Sequence, residues 1–369
     1  MSFKPFLKWV GGKTQILDEV FQLFPATINN YYEPFLGGGS VLFKLLENIS
    51  SGIITITGDI YVSDSNKTLI HCYKNIQNPE TFNTLIDEVI KLKTSYESLK
   101  EPTPLKVNST NNGADKNEDT DKEGKDKTKK KTRKNIKPIT EAEGKVDREH
   151  YYYWIRDKYN KLSDTDKLGV VGSSIFIFLN KTCFRGVYRE NSKSEFNVPY
   201  GNYKSPAIIN RDDIAKLHSL LNQESFKIHF TTSDFISVFE KIPSKQQKQQ
   251  KQQKQQNTTT FNKNDFIYLD PPYVPEKATS FVGYTNDGFN LENHKMLFDS
   301  CSKLKKCGIP FLLSNSNVNL VNNYFNNDSP EDKKDTKKEN IKFNKVVIEA
   351  KRAIHSKKPD SKTKEVLIS

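Results

Sequence analysis

The segment Tyr31-Tyr32-Glu33-Pro34-Phe35-Leu36-Gly37-Gly38-Gly39-Ser40-Val41-Leu42-Phe43-Lys44-Leu45-Leu46 decides the fold. Tyr31 to Phe35 predicts a short strand, the three glycines a tight turn, and Val41 to Leu46 the start of an apolar-rich helix. Similar short apolar runs lie farther along the chain. Ile60-Tyr61-Val62-Ser63-Asp64 closes on a carboxylate, Phe266-Ile267-Tyr268-Leu269 leads into Asp270, and Ile309 to Leu313 leads into Ser314-Asn315. Each run delivers polar residues at its C-terminal end, and in open α/β sheets the ligand crevice lies outside the carboxyl ends of the strands. The expected fold is a doubly wound, Rossmann-like α/β sheet. Residues 70–205 hold helical stretches, Glu149 to Leu162 and Gly169 to Leu179, followed by a Gly- and Tyr-rich loop. They are expected to form a smaller, mainly helical domain inserted into a discontinuous sheet domain of residues 1–69 and 206–369.

The 369 residues are only 35% hydrophobic, low for a chain packed throughout, and carry a formal net charge of +12. Three low-complexity segments account for the shortfall: residues 101–147, a Lys/Asp/Glu/Thr/Asn mixture; residues 244–264, with repeated Lys-Gln-Gln; and residues 326–342. These are expected to be disordered inserts outside the core. Lys245, Lys248, Lys251 and Lys254 belong to one of them, so the folded part is less basic than the total. Charge alone favours a polyanionic partner only modestly. Cys72, Cys183, Cys301 and Cys307 form no C-x-x-C pair, and no nearby His completes a zinc-type set, so unpaired thiols and no metal are expected. Met1-Ser2-Phe3-Lys4-Pro5 lacks the charged-then-apolar order of a secretion signal, and no stretch is long enough to span a bilayer. An intracellular, soluble protein is the expectation.

Four motifs carry candidate chemistry. The glycine turn at Gly37-Gly38-Gly39 lets backbone approach a nucleotide-like cofactor closely, although its spacing is not G-x-G-x-x-G and a purely structural turn is equally compatible. Asp64 follows about a strand and a helix later, where a carboxylate can accept from ribose hydroxyls; Asp64-Ser65-Asn66 would equally cap the next helix. Val10-Gly11-Gly12-Lys13-Thr14 resembles a phosphate loop, but Leu7 stands where that motif requires its first glycine. Asp270-Pro271-Pro272-Tyr273 is the most informative. Two prolines can neither pair in a sheet nor continue a helix, so they force a rigid turn after an apolar strand. An ordinary loop start is the bland reading. The chemical reading is a site in which the Asp270 carboxylate and the Pro271 carbonyl accept from an amino group, while Tyr273 offers a flat face to a base taken out of the stack.

Together these residues resemble the Dam-type (D12 class, alpha-group) DNA adenine-N6 methyltransferases. Phe6 to Lys13 looks like that family's N-terminal signature and Glu33 to Ser40 like its cofactor loop. Leu179 to Arg189, Glu195 to Gly201 and Asp270 to Pro275 follow in the same order, and Lys351 to His355 with Glu365 to Ile368 look like its closing strands. The resemblance covers nearly everything outside the inserts. It implies a methyltransferase sheet with an inserted target-recognition domain carrying a β-hairpin at Phe184 to Tyr203. It also implies direct, in-line transfer of methyl from S-adenosyl-L-methionine to N6 of a flipped-out adenine in double-stranded DNA. Asp270, Pro271, Pro272 and Tyr273 would be catalytic, and Trp9, Lys13, Phe35, Gly37, Gly39, Asp64 and Asp270 would bind the cofactor. Lys8, Phe184, Val187, Arg189, Pro199 and Tyr203 would contact DNA, with Arg189 reading a guanine in a GATC-like site. Arg185 stands where bacterial relatives carry a small amide, and Asn202 where they carry an arginine.

A monomer is expected, with a dimer on DNA as the alternative. Two competing functions differ in kind. A cytosine-N4 methyltransferase would more often carry Ser in place of Asp270, and a non-catalytic DNA-binding protein would not be expected to keep the glycine loop, Asp64 and the whole tetrapeptide together.

Overall fold

The computed structural model describes residues 5–102, 136–243, 260–275, 289–326, 341–351 and 362–369. Two two-residue strands, β1 (Thr27–Ile28) and β3 (Thr55–Ile56), pair in parallel at one end. The main sheet contains β2 (Tyr31–Glu33), β4 (Ile60–Asp64), β5 (Ile228–Thr232), β6 (Phe266–Leu269), β7 (Phe311–Ser316), β8 (Lys345–Lys351) and β9 (Lys362–Ile368). Its seven strands run in the order β5-β4-β2-β6-β7-β9-β8, with β9 antiparallel to both of its neighbours and every other pairing parallel. From β2 the chain builds outward through β4 and β5, then returns to the other side of β2 with β6 and builds outward again. The strand order therefore reverses between β2 and β6, where an open α/β sheet forms its ligand crevice.

The strands form here because they can be buried on both faces. All four residues of β6 and all six of β7 are buried, as parallel strands covered by helices on both sides require. Ser314 and Asn315, expected just past the end of a strand, lie inside β7. Antiparallel partners on β9 extend that strand, with Ser314 opposite Leu367 and Asn315 opposite Val366.

The opposite end of the sheet is laced by short polar side chains. Asp265, 1% exposed, accepts at Oδ1 from Asn29 Nδ2 (2.8 Å), Asn30 N (3.1 Å) and Asn30 Nδ2 (3.1 Å), and at Oδ2 from Asn262 N (2.9 Å). Asn30 Oδ1 in turn accepts from Asp59 N, and Asp59 Oδ1 from Lys227 N, each at 3.0 Å. The residues just before β6, β2, β4 and β5 are thus joined side to side.

On one face lie α1 (Leu17–Phe21), α2 (Ser40–Ser50) and the helices between β4 and β5: α3 (Lys67–Gln77), α4 (Pro79–Glu97), α5 (Glu141–Gly144), α6 (Arg148–Lys161), α7 (Asp164–Leu168), α8 (Val170–Thr182) and α9 (Arg211–Leu221). Leu42, Ile60, Tyr73, Val89, Tyr152 and Phe178 belong to one continuous apolar cluster, so these helices share their core with the sheet. The expected domain boundary after residue 69 falls inside α3. On the other face α10 (Ile236–Phe239), α11 (Leu291–Cys307) and α12 (Asn319–Tyr324) enclose a second cluster with Ile267, Leu269, Leu297, Leu313 and Ile368.

Two of the expected inserts are narrower than composition suggested. Residues 136–147, expected in the first, are structured. Thr140 and Glu143 form a capping box for α5, and Asp147 caps α6 by accepting from His150 N at 2.9 Å. Residues 260–264, expected in the second, are also structured. The ring of Phe261 is buried edge-on against Tyr32 with centroids 4.8 Å apart, burial that a polar neighbourhood concealed in the sequence. Glu101 and Pro102 at the start of the first, and Asn326, Ile341 and Lys342 at the margins of the third, are likewise described, and the rest of all three segments lies outside the described residues. All four cysteines are free thiols, and no helix among the described residues is long and apolar enough to cross a membrane.

Asp265→Ala leaves several inward-facing donors without an acceptor, each costing about 1–3 kcal/mol when buried. Chemical denaturation should therefore show a loss of at least about 2 kcal/mol. A loss below about 0.5 kcal/mol would mean that the lacing does not hold the strands.

Candidate active site

The glycine turn follows β2 and precedes α2. Gly37 (φ 49°) and Gly39 (φ 70°) occupy the left-handed region that side chains disfavour. The turn also has to admit neighbouring rings. A Cβ on Gly37 would lie 3.0 Å from Trp9 Cδ1, one on Gly38 2.9 Å from Trp9 Cβ, and one on Gly39 2.6 Å from the Tyr73 hydroxyl. The structural and functional readings of this loop are therefore compatible, since glycine is needed for the turn whatever binds beside it.

Asp64 ends β4 and ties that strand to the turn. Its Oδ2 accepts from Gly37 N at 3.0 Å and its Oδ1 from Asn66 N at 2.9 Å. Burial raises its carboxyl above the usual range. Asp64 does not cap the next helix; Asn66 does, accepting from Leu69 N at 2.9 Å. Phe35 stacks on Phe235 (5.4 Å between centroids) and meets Phe289 edge-on (5.7 Å), giving the crevice an aromatic wall.

Asp270 stands at the end of β6, beside this turn. Its Oδ1 is 2.7 Å from Lys13 Nζ, with 5% of the lysine side chain and 17% of the aspartate side chain exposed. Lys13 Nζ also donates to Gly11 O at 2.9 Å and lies 4.6 Å from the centre of the Tyr273 ring, while Lys13 N donates to Ser40 Oγ at 3.1 Å. Burial pushes the Asp270 carboxyl up to about 6; the adjacent Lys13 ammonium opposes the rise and the Glu365 carboxylate adds to it. Glu33, at the end of β2, is fully enclosed and accepts from the Tyr31 hydroxyl at 2.9 Å. Burial pushes its carboxyl to about 8, against the Tyr31 hydrogen bond and with help from Asp270 and Asp64.

The turn after β6 is anchored by neighbouring strands. Val274 N donates to Asn315 Oδ1 at 3.1 Å. The Tyr273 hydroxyl donates to Glu365 Oε2 at 2.7 Å and lies 2.6 Å from Ser314 Oγ. Pro271 is buried and Pro272 exposed. Sequence reading missed Glu33 and Glu365 as site residues, and it placed Ser314 at a polar strand end facing the crevice without giving it a role. For Glu33 a signal existed, a carboxylate closing a strand within the glycine motif.

The segment Lys8 to Lys13 connects this crevice to the Phe184–Tyr203 region. Lys8 N donates to Asn180 Oδ1 (2.8 Å) and Asn180 Nδ2 donates to Lys8 O (2.7 Å), while Lys8 Nζ lies 3.8 Å from the centre of the Tyr203 ring. Trp9, lying against the glycine turn, stacks on Tyr188 with centroids 6.0 Å apart. The expected β-hairpin has the right course but no continuous ladder. A 3-10 turn at Phe184–Gly186 is followed by only two isolated bridges, Cys183 to Tyr200 and Glu190 to Phe196. Positive φ at Arg185, Ser194 and Asn202, and the missing N–H of Pro199, interrupt regular pairing. Phe184 is 48% exposed, Pro199 is exposed, and Val187 packs against the core. Arg189 is exposed and donates through Nε to Asn197 Oδ1 at 2.6 Å, and through Nη2 to Asn197 O at 3.2 Å. Tyr203 braces the turn by accepting from Arg185 N at 2.9 Å.

A mostly parallel sheet with an antiparallel strand near one edge, and a glycine turn and two acidic strand ends at the switch in strand order, defines the class I S-adenosylmethionine-dependent methyltransferase fold. Within that class the sequence matches the D12 class N6 adenine-specific DNA methyltransferases over residues 9–247 and 237–354, and the chain belongs to that family. It is 33% identical over 323 residues to the type II methyltransferase M.MjaIII of Methanocaldococcus jannaschii, covering 86% of this chain and 85% of that protein. It is 28% identical over 328 residues to the type II methyltransferase M1.LlaDCHI of Lactococcus lactis subsp. cremoris (87% and 84%). With the DNA adenine methylase of Haemophilus influenzae it shares 25% over 328 residues (88% and 84%).

Family membership implies S-adenosylmethionine as methyl donor and DNA as substrate. The crevice suits such a donor chemically, with a carboxylate for hydroxyl groups at Asp64, an aromatic wall at Phe35, and the Asp270 carboxylate where a cation already sits. Among the described residues no group of three or more His, Cys, Asp or Glu side chains is arranged to hold a metal ion.

Lys13→Met removes the charge that holds the Asp270 carboxyl down, so Asp270 should titrate above its present value of about 6. Carbon-13 NMR of labelled aspartate carboxyls would follow the change. A titration that stays put or moves lower would contradict the ion pair.

Proposed function

We propose that this chain is a site-specific adenine methyltransferase acting on N6 of an adenine flipped out of duplex DNA, at a GATC-like site. The observation that carries the reading is the Lys13 ammonium held against Asp270 and over the Tyr273 ring: the pocket accommodates a positively charged nitrogen between a carboxylate and an aromatic face. The amino nitrogen of adenine becomes cationic as it is methylated.

S-adenosylmethionine supplies an electrophilic methyl group on a sulfonium. Asp270 and the Pro271 carbonyl accept hydrogen bonds from the adenine amino group, which draws its lone pair out of the ring and stabilises the charge developing on nitrogen. Pro271 and Pro272 keep that carbonyl fixed, and Tyr273 stacks on the adenine. Trp9, Lys13, Phe35, Gly37, Gly39 and Asp64 line the cofactor side, with Asp64 accepting from ribose hydroxyls, and Asp270 faces cofactor and target together. Residues 70–205 serve as the target-recognition module. Lys8 and Arg189 read guanines, Val187 and Pro199 make apolar contacts nearby, Phe184 wedges into the base stack, and Tyr203 supports the contact surface. Reading a guanine requires Arg189 to exchange its Asn197 partner for O6 and N7. The enzyme acts as a monomer.

Incubation with unmethylated DNA and labelled cofactor, followed by digestion to nucleosides, should yield N6-methyladenine; label only in N4-methylcytosine, or in no base, would refute the reading. Asp270→Ala should abolish turnover while DNA affinity persists, because phosphate contacts dominate that affinity. Protonation would turn one Asp270 oxygen from acceptor to donor and remove the charge that stabilises a cationic nitrogen, and the folded-state value of this carboxyl lies near 6, above the ordinary 3.8. The turnover rate should therefore rise with pH through about 6, level off above it, and fall as acid protonates Asp270. A flat profile between pH 5 and 8 would exclude this role.

Arg189→Ala should relax discrimination at one guanine by roughly 1–3 kcal/mol. Competition among oligonucleotides with single-base changes in GATC measures this, and unchanged ratios would remove Arg189 from recognition.

A further inference from the structure

We propose that Glu365 is a positioning residue for the methyl-transfer site: through the Tyr273 hydroxyl it fixes the ring on which the target base stacks. The inference rests on the reading of Asp270 and Tyr273 given above. It begins from a convergence of three strands. Tyr273 comes from the turn after β6, Ser314 from β7 and Glu365 from β9, where Glu365 stands opposite Ser316.

The Tyr273 hydroxyl has one proton, and the carboxylate of Glu365, 2.7 Å away, accepts it. The second contact, 2.6 Å from Ser314 Oγ, is then made with the Ser314 proton. A phenol held at its far end by an acceptor and a donor cannot swing about χ1, so the position of the ring is set before a base arrives. Donation to a carboxylate also leaves the ring richer in electrons, which strengthens its attraction for a cation over its face. The Lys13 ammonium already sits 4.6 Å from that face.

The charge acts on Asp270 as well. The groups facing Asp270 are Lys13 from the N-terminal segment, Glu365 from β9, Glu33 and Tyr31 from β2, Tyr268 from β6, and Tyr273 from the turn. Burial holds the four acidic groups Glu33, Tyr31, Tyr268 and Tyr273 in their neutral forms at pH 6–7. The charges that bracket Asp270 are therefore the ammonium of Lys13, which favours its ionised form, and the carboxylate of Glu365, which opposes it.

The test uses the full chain with Glu365→Gln and Glu365→Ala, after circular dichroism has established that each variant folds. Gln retains an oxygen that accepts from Tyr273 but carries no charge. It should keep most of the turnover rate, while the Asp270 titration followed by carbon-13 NMR, and the pH inflection of kcat, move to lower pH. Ala removes both contributions and should lower kcat by about 10- to 100-fold with little change in KM for either substrate. Wild-type kcat in Glu365→Ala, or an unmoved Asp270 titration in Glu365→Gln, would overturn the inference. If the wild-type chain makes no N6-methyladenine, the proposed function fails, yet the Asp270 titration still decides whether Glu365 acts on that carboxyl. If Glu365→Ala does not fold, the Glu365→Gln titration decides alone.

Discussion

The carboxylate of Asp265 is the fixed point of this molecule. It gathers donors from Asn29, Asn30 and Asn262 at the base of the sheet and so sets β2 beside β6, two strands far apart in the chain, in one register. Tyr31 then lies opposite Phe266 and Tyr32 opposite Ile267, and with the strands parallel the turn bearing Gly37 and the turn bearing Asp270 emerge at the same edge. Asn30 and Asp59 continue the lacing to β4 and β5, which brings Asp64 to that edge too. A one-residue slip would invert the faces of β6 and turn its apolar residues out of their clusters. The catalytic end of the sheet is ordered by hydrogen bonds made at the other end.

The crevice concentrates acidic groups and resolves their repulsion in two ways. Glu33 keeps its proton through neutral pH because it is enclosed and its neighbours are negative. Asp270 faces a lysine and ionises near pH 6. One carboxyl is thus neutral and structural while the other is ionised and available, a division set by environment, since the free groups have similar acidity.

Much of this was legible in the sequence. Ile60–Asp64 and Phe266–Leu269 were readable as strands because each is a short apolar run bounded by turn-forming or polar residues, and parallel strands buried on both faces look like that. Ile228-His229-Phe230-Thr231-Thr232 was missed because an edge strand with one open face mixes polar with apolar residues. Helix α4 was missed because its buried stripe, Leu85, Ile86 and Val89, is diluted by polar residues. At the site, the glycine turn, Asp64 and Asp270 were singled out from local patterns and Trp9 and Lys13 by the family resemblance, and these residues lie side by side in the structure. Glu365 was invisible as a site residue, and the role of Ser314 unreadable, because their contact with Tyr273 exists only once β7 and β9 pair. The absent ladder in the Phe184–Tyr203 region depends on backbone angles at Arg185 and Asn202 that composition does not specify.

The segment from Lys8 to Lys13 touches everything that matters: Lys8 is clasped by Asn180, Trp9 is seated on the glycine turn, and Lys13 faces Asp270. Its length is consequently constrained. A strand-like residue spans about 3.3 Å, more than the tolerance of any of these contacts, so adding or removing one residue would dislodge at least one of them. Along these six residues the contacts therefore tolerate an exchange of side chains in place but no insertion or deletion.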